Sequence, residues 1–144
     1  ASGHGLAGLW FEGQRHWPRG TERWQPHAGL PVFAQAARQL DAYFAGELAG
    51  FELPLDLSAG TPFQQRVWRA LCAIAPGRTT SYGALAAAAG APSAVRAVGA
   101  AIGRNPVSII VPCHRVVGAQ GALTGYAGGL DRKVALLQLE GALL

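Results

Sequence analysis

Residues 81–115 read SYGALAAAAGAPSAVRAVGAAIGRNPVSIIVPCHR, and this stretch decides the architecture. Ser81 is a helix cap ahead of YGALAAAA, and Gly90 closes that helix because glycine takes the left-handed conformation a helix end favours. Pro92 and Ser93 open a second helix, SAVRAVGAAIGRN. Two short helices joined by a tight turn form the helix-turn-helix layout. Asn105-Pro106 stops the second helix, since the residue before proline is disfavoured in helical geometry. Val107–Val111 (VSIIV) is a short apolar run bounded by turn signals, and reads as a strand fully buried in the core. It delivers Pro112-Cys113-His114-Arg115.

Working outward, Thr61 caps an upstream helix with Pro62 at its first position. Phe63, Val67, Trp68, Leu71 and Ile74 line its buried face, Cys72 is assigned to the same core, and Pro76-Gly77 ends it. Residues 53–60 (LPLDLSAG) read as a linker. Before it, residues 5–11 (GLAGLWF) read as a buried strand, and residues 30–48 as an amphipathic helix with Phe33, Ala37, Leu40, Tyr43 and Phe44 inward. A lone strand cannot bury itself, so the chain is expected to begin inside a sheet whose earlier strands are absent or supplied by others. Downstream of Arg115 come Val116-Val117, a glycine-rich loop from Gly118 to Gly129, and a last helix, LDRKVALLQLE, ending at Gly141. The fold class is α/β in the α+β sense. A small strand-and-helix domain, 1–56, precedes a helical domain, 57–144, with a winged-helix-like helix-turn-helix and a short buried strand leading to Cys113.

The 144 residues suffice for one core, or one domain and a small partial one. Half the residues are apolar and mean hydropathy is +0.19, which excludes a disordered chain. No apolar run reaches the roughly 20 residues that span a bilayer, and ASGHGLAGLWF lacks a basic-then-apolar leader pattern. A soluble, cytoplasmic monomer is expected. The net charge of +4 is carried by arginine with a single lysine, Lys133, and makes an anionic partner such as nucleic acid plausible. Cys72 and Cys113 are too few for a disulfide framework. With His4, His16, His27 and His114 they form no metal-ligand spacing, so no metal and no cofactor are expected.

Cys113 is the candidate nucleophile. A thiol attacks as thiolate, and basic neighbours such as His114 and Arg115 lower its pKa; the plainer alternative is a small buried hydrophobe. Neighbours on an extended chain point oppositely, so His114 needs a water to reach the thiol and a carboxylate to hold its ring. Glu140 is the candidate by chain order, against the alternative of a solvated helix end. On the outer side of the SAVRAVGAAIGRN helix Ala94, Ala97, Gly99 and Ala100 are small, and Arg96 is the long side chain among them. Such a helix cannot read major-groove base edges, but it can approach the minor groove closely; tight helix packing is the alternative.

Pro112-Cys113-His114-Arg115-Val116, preceded by Arg96-Ala97-Val98-Gly99 and Asn105-Pro106 and followed by Gly125-Tyr126 and Glu140, resembles the O6-alkylguanine-DNA alkyltransferase family. The resemblance runs from about Thr61 to Gly141. It implies a repair protein that flips O6-alkylguanine out of double-stranded DNA, bound through the minor groove, and moves the alkyl group irreversibly onto Cys113. His114 would act through a water with Glu140 behind it, and Asn105 would tie the recognition helix to the active-site segment. Arg96 would fill the gap left by the extruded nucleotide, with Ala94, Ala97, Gly99 and Arg115 also on DNA. Tyr82 would press on the phosphate and then meet guanine N3. The carbonyls of Cys113 and Val116 would accept from the guanine amino group, and Tyr126, Ala127 and Gly128 would wall the pocket.

Two departures qualify the transfer. Ala127 stands where many relatives have serine, and one or more opening strands of the family's first domain are expected to be absent from this stretch. The family's zinc ligands have no counterparts. Three other readings remain at this stage: an alkyltransferase-like protein that flags lesions without chemistry, against which Cys113 argues; a winged-helix regulator, against which the small-residue helix argues; and a thiol hydrolase.

Overall fold

Five helices and one short pair of strands order the chain in the computed structural model, which describes residues 1–48 and 50–143. Ala49 and Leu144, the last residue of the expected second domain, lie outside the described residues. The fold is mixed and dominated by helix. The helices are α1 (Pro31–Phe44), α2 (Pro62–Cys72), α3 (Tyr82–Ala88), α4 (Val95–Gly103) and α5 (Leu130–Leu139), and the strands are β1 (Thr80–Ser81) and β2 (Val116–Val117), paired in parallel.

α2 forms where its caps and apolar spacing coincide. The Thr61 hydroxyl accepts from Gln64 N–H while the Gln64 side chain accepts from Thr61 N–H, a reciprocal capping box. Val67, Trp68 and Leu71 face inward, each of the aliphatic pair contributing on the order of 1.5–3 kcal/mol through burial. Trp68 also donates its indole N–H to the Ala101 carbonyl of α4, which locks the two helices in register. Cys72 departs from expectation. It is exposed, because it follows Leu71 by one residue at the helix end and so turns off the Val67–Leu71 face.

Ser81 caps α3 through a bond from Ala84 N–H, and Gly90 follows with φ +77°. α4 starts at Val95, later than the expected Ser93, after Ala94 with no side-chain cap. Val98, Ala101 and Ile102 bury its inner face against α2 and α3. In α1 Tyr43 is buried as expected and Phe33 and Leu40 pack against the core, whereas Ala37 and Phe44 are exposed and Ala36 is buried instead.

Two expected strands are not strands. Residues 5–11 run extended but make isolated bridges, Leu6 to Leu55 and Leu9 to Val107, since no neighbouring strand lies alongside to build a ladder. The supposed linker therefore pairs with the first segment, and Leu57 is buried. Val107–Val111 is fully buried as expected but coils into a tight turn: Ile110 N–H meets Ser108 O and Val111 N–H meets Val107 O. Its backbone groups are satisfied within the turn, by Asn105 and by a single bridge in which Ser108 N–H donates to Leu9 O, so no full partner strand is needed.

The main core joins both halves of the chain, with Leu6, Ala36 and Leu57 packed in one cluster with α2, α3, α4 and the Cys113 turn. A smaller cluster of Tyr43, Ile109 and Leu136 ties α1 to α5.

Candidate active site

Asn105 builds the turn that presents Cys113. Its amide N–H donates to Val111 O at 2.7 Å, and its Oδ1 accepts from Val107 N–H at 2.9 Å. Both ends of the 107–111 segment thus hang from one buried side chain at the end of α4. Ile109 inside it takes φ +71°, a conformation β-branched residues rarely adopt, held by the packing around it. Pro112 then leads into a 3₁₀ turn, Cys113–Arg115, in which Cys113 is 6% exposed. Burial pushes the Cys113 thiol pKa up, against the opposing pull of Asn105, the Lys133 charge, its own backbone N–H and the Tyr126 hydroxyl. At rest the thiol is protonated, and a base must ionise it.

His114 is fully buried and turns to α5, where its Nε2–H donates to Glu140 Oε2 at 2.9 Å. That bond leaves Nδ1 as the acceptor of the neutral ring, and among the described residues Nδ1 has no partner. Burial, chiefly, lowers the His114 pKa against the raising effect of Glu140, so the ring is neutral at physiological pH. Glu140 caps the C-terminus of α5 and accepts four bonds. Besides His114, Arg115 donates Nε–H to Oε1 at 2.9 Å and a terminal N–H to Oε2 at 2.7 Å, and Tyr43 of α1 donates its hydroxyl to Oε2 at 2.7 Å. Burial would raise the Glu140 pKa, but these donors outweigh it and hold the carboxyl at about 2.

Arg115 corrects an expectation. It is buried, and a further N–H meets Ile74 O at 2.6 Å, so its guanidinium is engaged inside the protein and not presented to DNA. Arg96 is exposed on α4, as are Ala97 and Ala100, while Ala94 and Gly99 are half-buried.

A cavity of about 160 Å³ reaches Cys113, lined by Tyr82, Gly99, Ile102, Gly103, Gly125, Tyr126 and Ala127, with Arg15 and His16 at one side. Tyr126 has its hydroxyl buried, and burial first, then the nearby Cys113, push its pKa up, so it stays a neutral phenol. Gly128 lies outside the lining but has no room for a side chain, since a Cβ there would meet Phe11 at 2.7 Å and Tyr126 at 2.8 Å. Val116 also lies outside it, buried in β2. Its carbonyl accepts from Lys133 Nζ at 2.6 Å, and the Cys113 carbonyl accepts from Val116 N–H. Each retains a second lone pair.

Cys113, His114, Asn105, Glu140, Tyr82, Tyr126 and Ala127 thus come together from separate parts of the sequence. Sequence reasoning missed four residues. Lys133, buried, fastens the glycine-rich loop by donating to Thr124 O at 2.8 Å. It lies seven residues before Glu140 on one helix, a same-face spacing that could have found it. Arg15, whose N–H donates to Ala127 O at 2.9 Å, His16 with φ +58°, and Tyr43 carry no local signal.

Comparison with known proteins sets this geometry beside relatives. Residues 62–142 match the model of the 6-O-methylguanine DNA methyltransferase DNA-binding domain, and residues 1–57 that of the same protein's ribonuclease-like domain. A methylated-DNA--protein-cysteine methyltransferase of Mycobacterium leprae is 56% identical over 141 residues, covering 96% of this chain and 83% of the relative. The crystal structure of Mycobacterium tuberculosis OGT in complex with DNA superposes with a TM-score of 0.87 at 52% identity, covering 99% of this chain and 84% of that one. An O6-methylguanine-DNA methyltransferase from the archaeon Pyrococcus kodakaraensis is 32% identical, with a TM-score of 0.61 over 81% of this chain and 65% of that one.

Proposed function

Because this chain belongs to the 6-O-methylguanine DNA methyltransferase family, we propose that it repairs O6-alkylguanine in duplex DNA by moving the alkyl group onto its own Cys113, once per molecule. The observation that carries this reading is the buried Cys113 thiol at the floor of a cavity beside a neutral His114 backed by Glu140. DNA is the partner, as in the mycobacterial complex, and no helix among the described residues is long and apolar enough to cross a membrane. A reducing compartment such as the cytoplasm would keep the thiol available.

α4 enters the minor groove with its exposed small residues, and Arg96 fills the space of the extruded nucleotide. Alkylation weakens pairing, so extrusion costs less for the damaged base than for an intact one. Tyr82 presses on the phosphate and then offers its hydroxyl to guanine N3. His114 Nδ1 takes the Cys113 proton through a bridging water. The thiolate attacks the alkyl carbon, a C–S bond forms, and the bond from that carbon to O6 breaks with its electron pair going to guanine. Tyr82 supplies a proton to the departing guanine anion and its phenolate takes one back from solvent, while the proton from sulfur stays on the His114–Glu140 pair until solvent removes it. The thioether is stable, so turnover ends there. Residues 57–144 serve as the DNA-binding and acceptor domain and residues 1–56 support it, and the protein works as a monomer. Arg115 is withdrawn from the DNA-contacting set and braces Glu140 instead.

The test is intact-mass measurement after incubation with a duplex containing O6-methylguanine. The expected result is a gain of one methyl on the peptide containing Cys113, lost in Cys113→Ser, whose hydroxyl is far less nucleophilic at neutral pH. A thiol hydrolase would return to its starting mass, and that outcome would sink the reading.

A further inference from the structure

Tyr43 stands on α1, 97 residues from Glu140 in the chain, yet its hydroxyl reaches Glu140 Oε2 at 2.7 Å. The same oxygen takes His114 Nε2–H at 2.9 Å and one Arg115 N–H at 2.7 Å. Donors sharing one oxygen divide its charge, so each bond weakens the hold on the others. The Tyr43 ring is 4% exposed and packs with Ile109, Leu136 and Phe51, which fixes where the hydroxyl points. We propose that Tyr43 is a positioning residue for the acceptor chemistry: by occupying Oε2 it tempers the pull of Glu140 on His114 and keeps the imidazole a neutral base for Cys113. This rests on the proposed role of His114.

The groups facing the pair fix the sign of the effect. The turn supplies Cys113 and Arg115, the glycine-rich loop Tyr126, α5 Lys133 beside Glu140 itself, and α1 Tyr43. Arg115 and Lys133 are cations that disfavour an imidazolium, while Glu140 favours it. Tyr43 is an uncharged donor, since burial first and the Glu140 bond second push its phenol pKa up. Removing its hydroxyl changes no charge but leaves Glu140 with one donor fewer, and that carboxylate then draws the proton more strongly onto His114.

Tyr43→Phe in the full chain keeps the ring and deletes the bond. Imidazole NMR should show the His114 titration moving upward by roughly half a unit to one unit. The acid limb of the rate of Cys113 alkylation by free O6-benzylguanine should move with it. A folded variant with lowered thermal midpoint but unmoved titration would overturn the proposal and leave Tyr43 a core residue. Should the variant fail to fold, a ring-fluorinated tyrosine at position 43, a stronger donor, should lower the His114 pKa; a rise or no change there overturns it equally. The NMR titration needs no alkyl transfer. A moved titration with an unmoved acid limb would therefore count against His114 as the base while the Tyr43 coupling stood.

Discussion

Glu140 shows what one buried side chain does for both stability and chemistry. Its carboxyl falls from an ordinary 4.5 to about 2 in the folded protein. A depressed carboxylate pKa gives stability that is complete above the unfolded value and is lost as pH falls through the folded one, a contribution on the order of 3 kcal/mol. His114 adds to the same trend, because a ring kept neutral by burial must be charged in acid, so stability begins to fall below its unfolded value of 6.5. Chemical denaturation between about pH 3 and 8 should show both losses. In Glu140→Gln the stability near neutrality should drop by about 3–5 kcal/mol, because Arg115 stays buried without its anion, and the step below about pH 4.5 should shrink to what Asp56, also held at about 2, leaves. A variant that kept the full acid step would show that another carboxylate carries it. At this scale the sequence was most legible where chemistry is local. Cys113 and His114 are adjacent, and Glu140 was reached by chain order and resemblance. Arg115 was misassigned because a basic residue beside a nucleophile looks the same whether it meets phosphate or a buried carboxylate, and only the position of Ile74 and Glu140 decides.

α4 and the turn after it separate the face proposed to meet DNA from the support of the thiol. The inner face of α4, Val98, Ala101 and Ile102, is closed against α2 and α3, so a change on the outer face leaves the packing intact. Arg96 is exposed on that outer side, and Arg96→Ala should fold normally while slowing repair of duplex DNA by roughly tenfold or more, since the group that offsets extrusion is gone. Transfer from free O6-benzylguanine needs no extrusion and should stay near the parent rate. Equal slowing of both substrates would place Arg96 in support of the pocket and end its role as the finger. Helix existence was legible because caps and periodicity agree, as at Thr61 and Ser81. The 107–111 segment was not, since a continuous apolar run marks burial and cannot tell a strand from a turn. What decides is the Asn105 side chain, which takes the backbone bonds a neighbouring strand would have made.

Across the whole molecule, the two halves matched by separate family models are stitched along one seam. Leu9 N–H donates to Pro106 O at 2.8 Å and Ser108 N–H returns to Leu9 O at 2.9 Å, directly behind the Cys113 turn. Arg132 lies over the Phe11 ring at 4.7 Å and donates to Glu12 O at 3.1 Å, while Tyr43 ends on Glu140. None of these links was legible, because each joins residues about 100 positions apart with no pattern local to either. They imply that neither half can open without exposing the other's core, so the chain should unfold as one cooperative unit. Probes already in the sequence test this. Trp10, Trp17 and Trp24 belong to the first half and only Trp68 to the second, whereas four of the five helices follow residue 57. In a Trp68→Phe background tryptophan fluorescence therefore reports the first half alone, and far-ultraviolet circular dichroism mainly the second. In urea the two curves should coincide, and Leu6→Ala, which hollows the shared core, should lower the stability read from both by the same amount, about 2–5 kcal/mol. Separated curves, or a shift confined to fluorescence, would mean that the seam is weaker than the contacts across it and that the acceptor half stands alone.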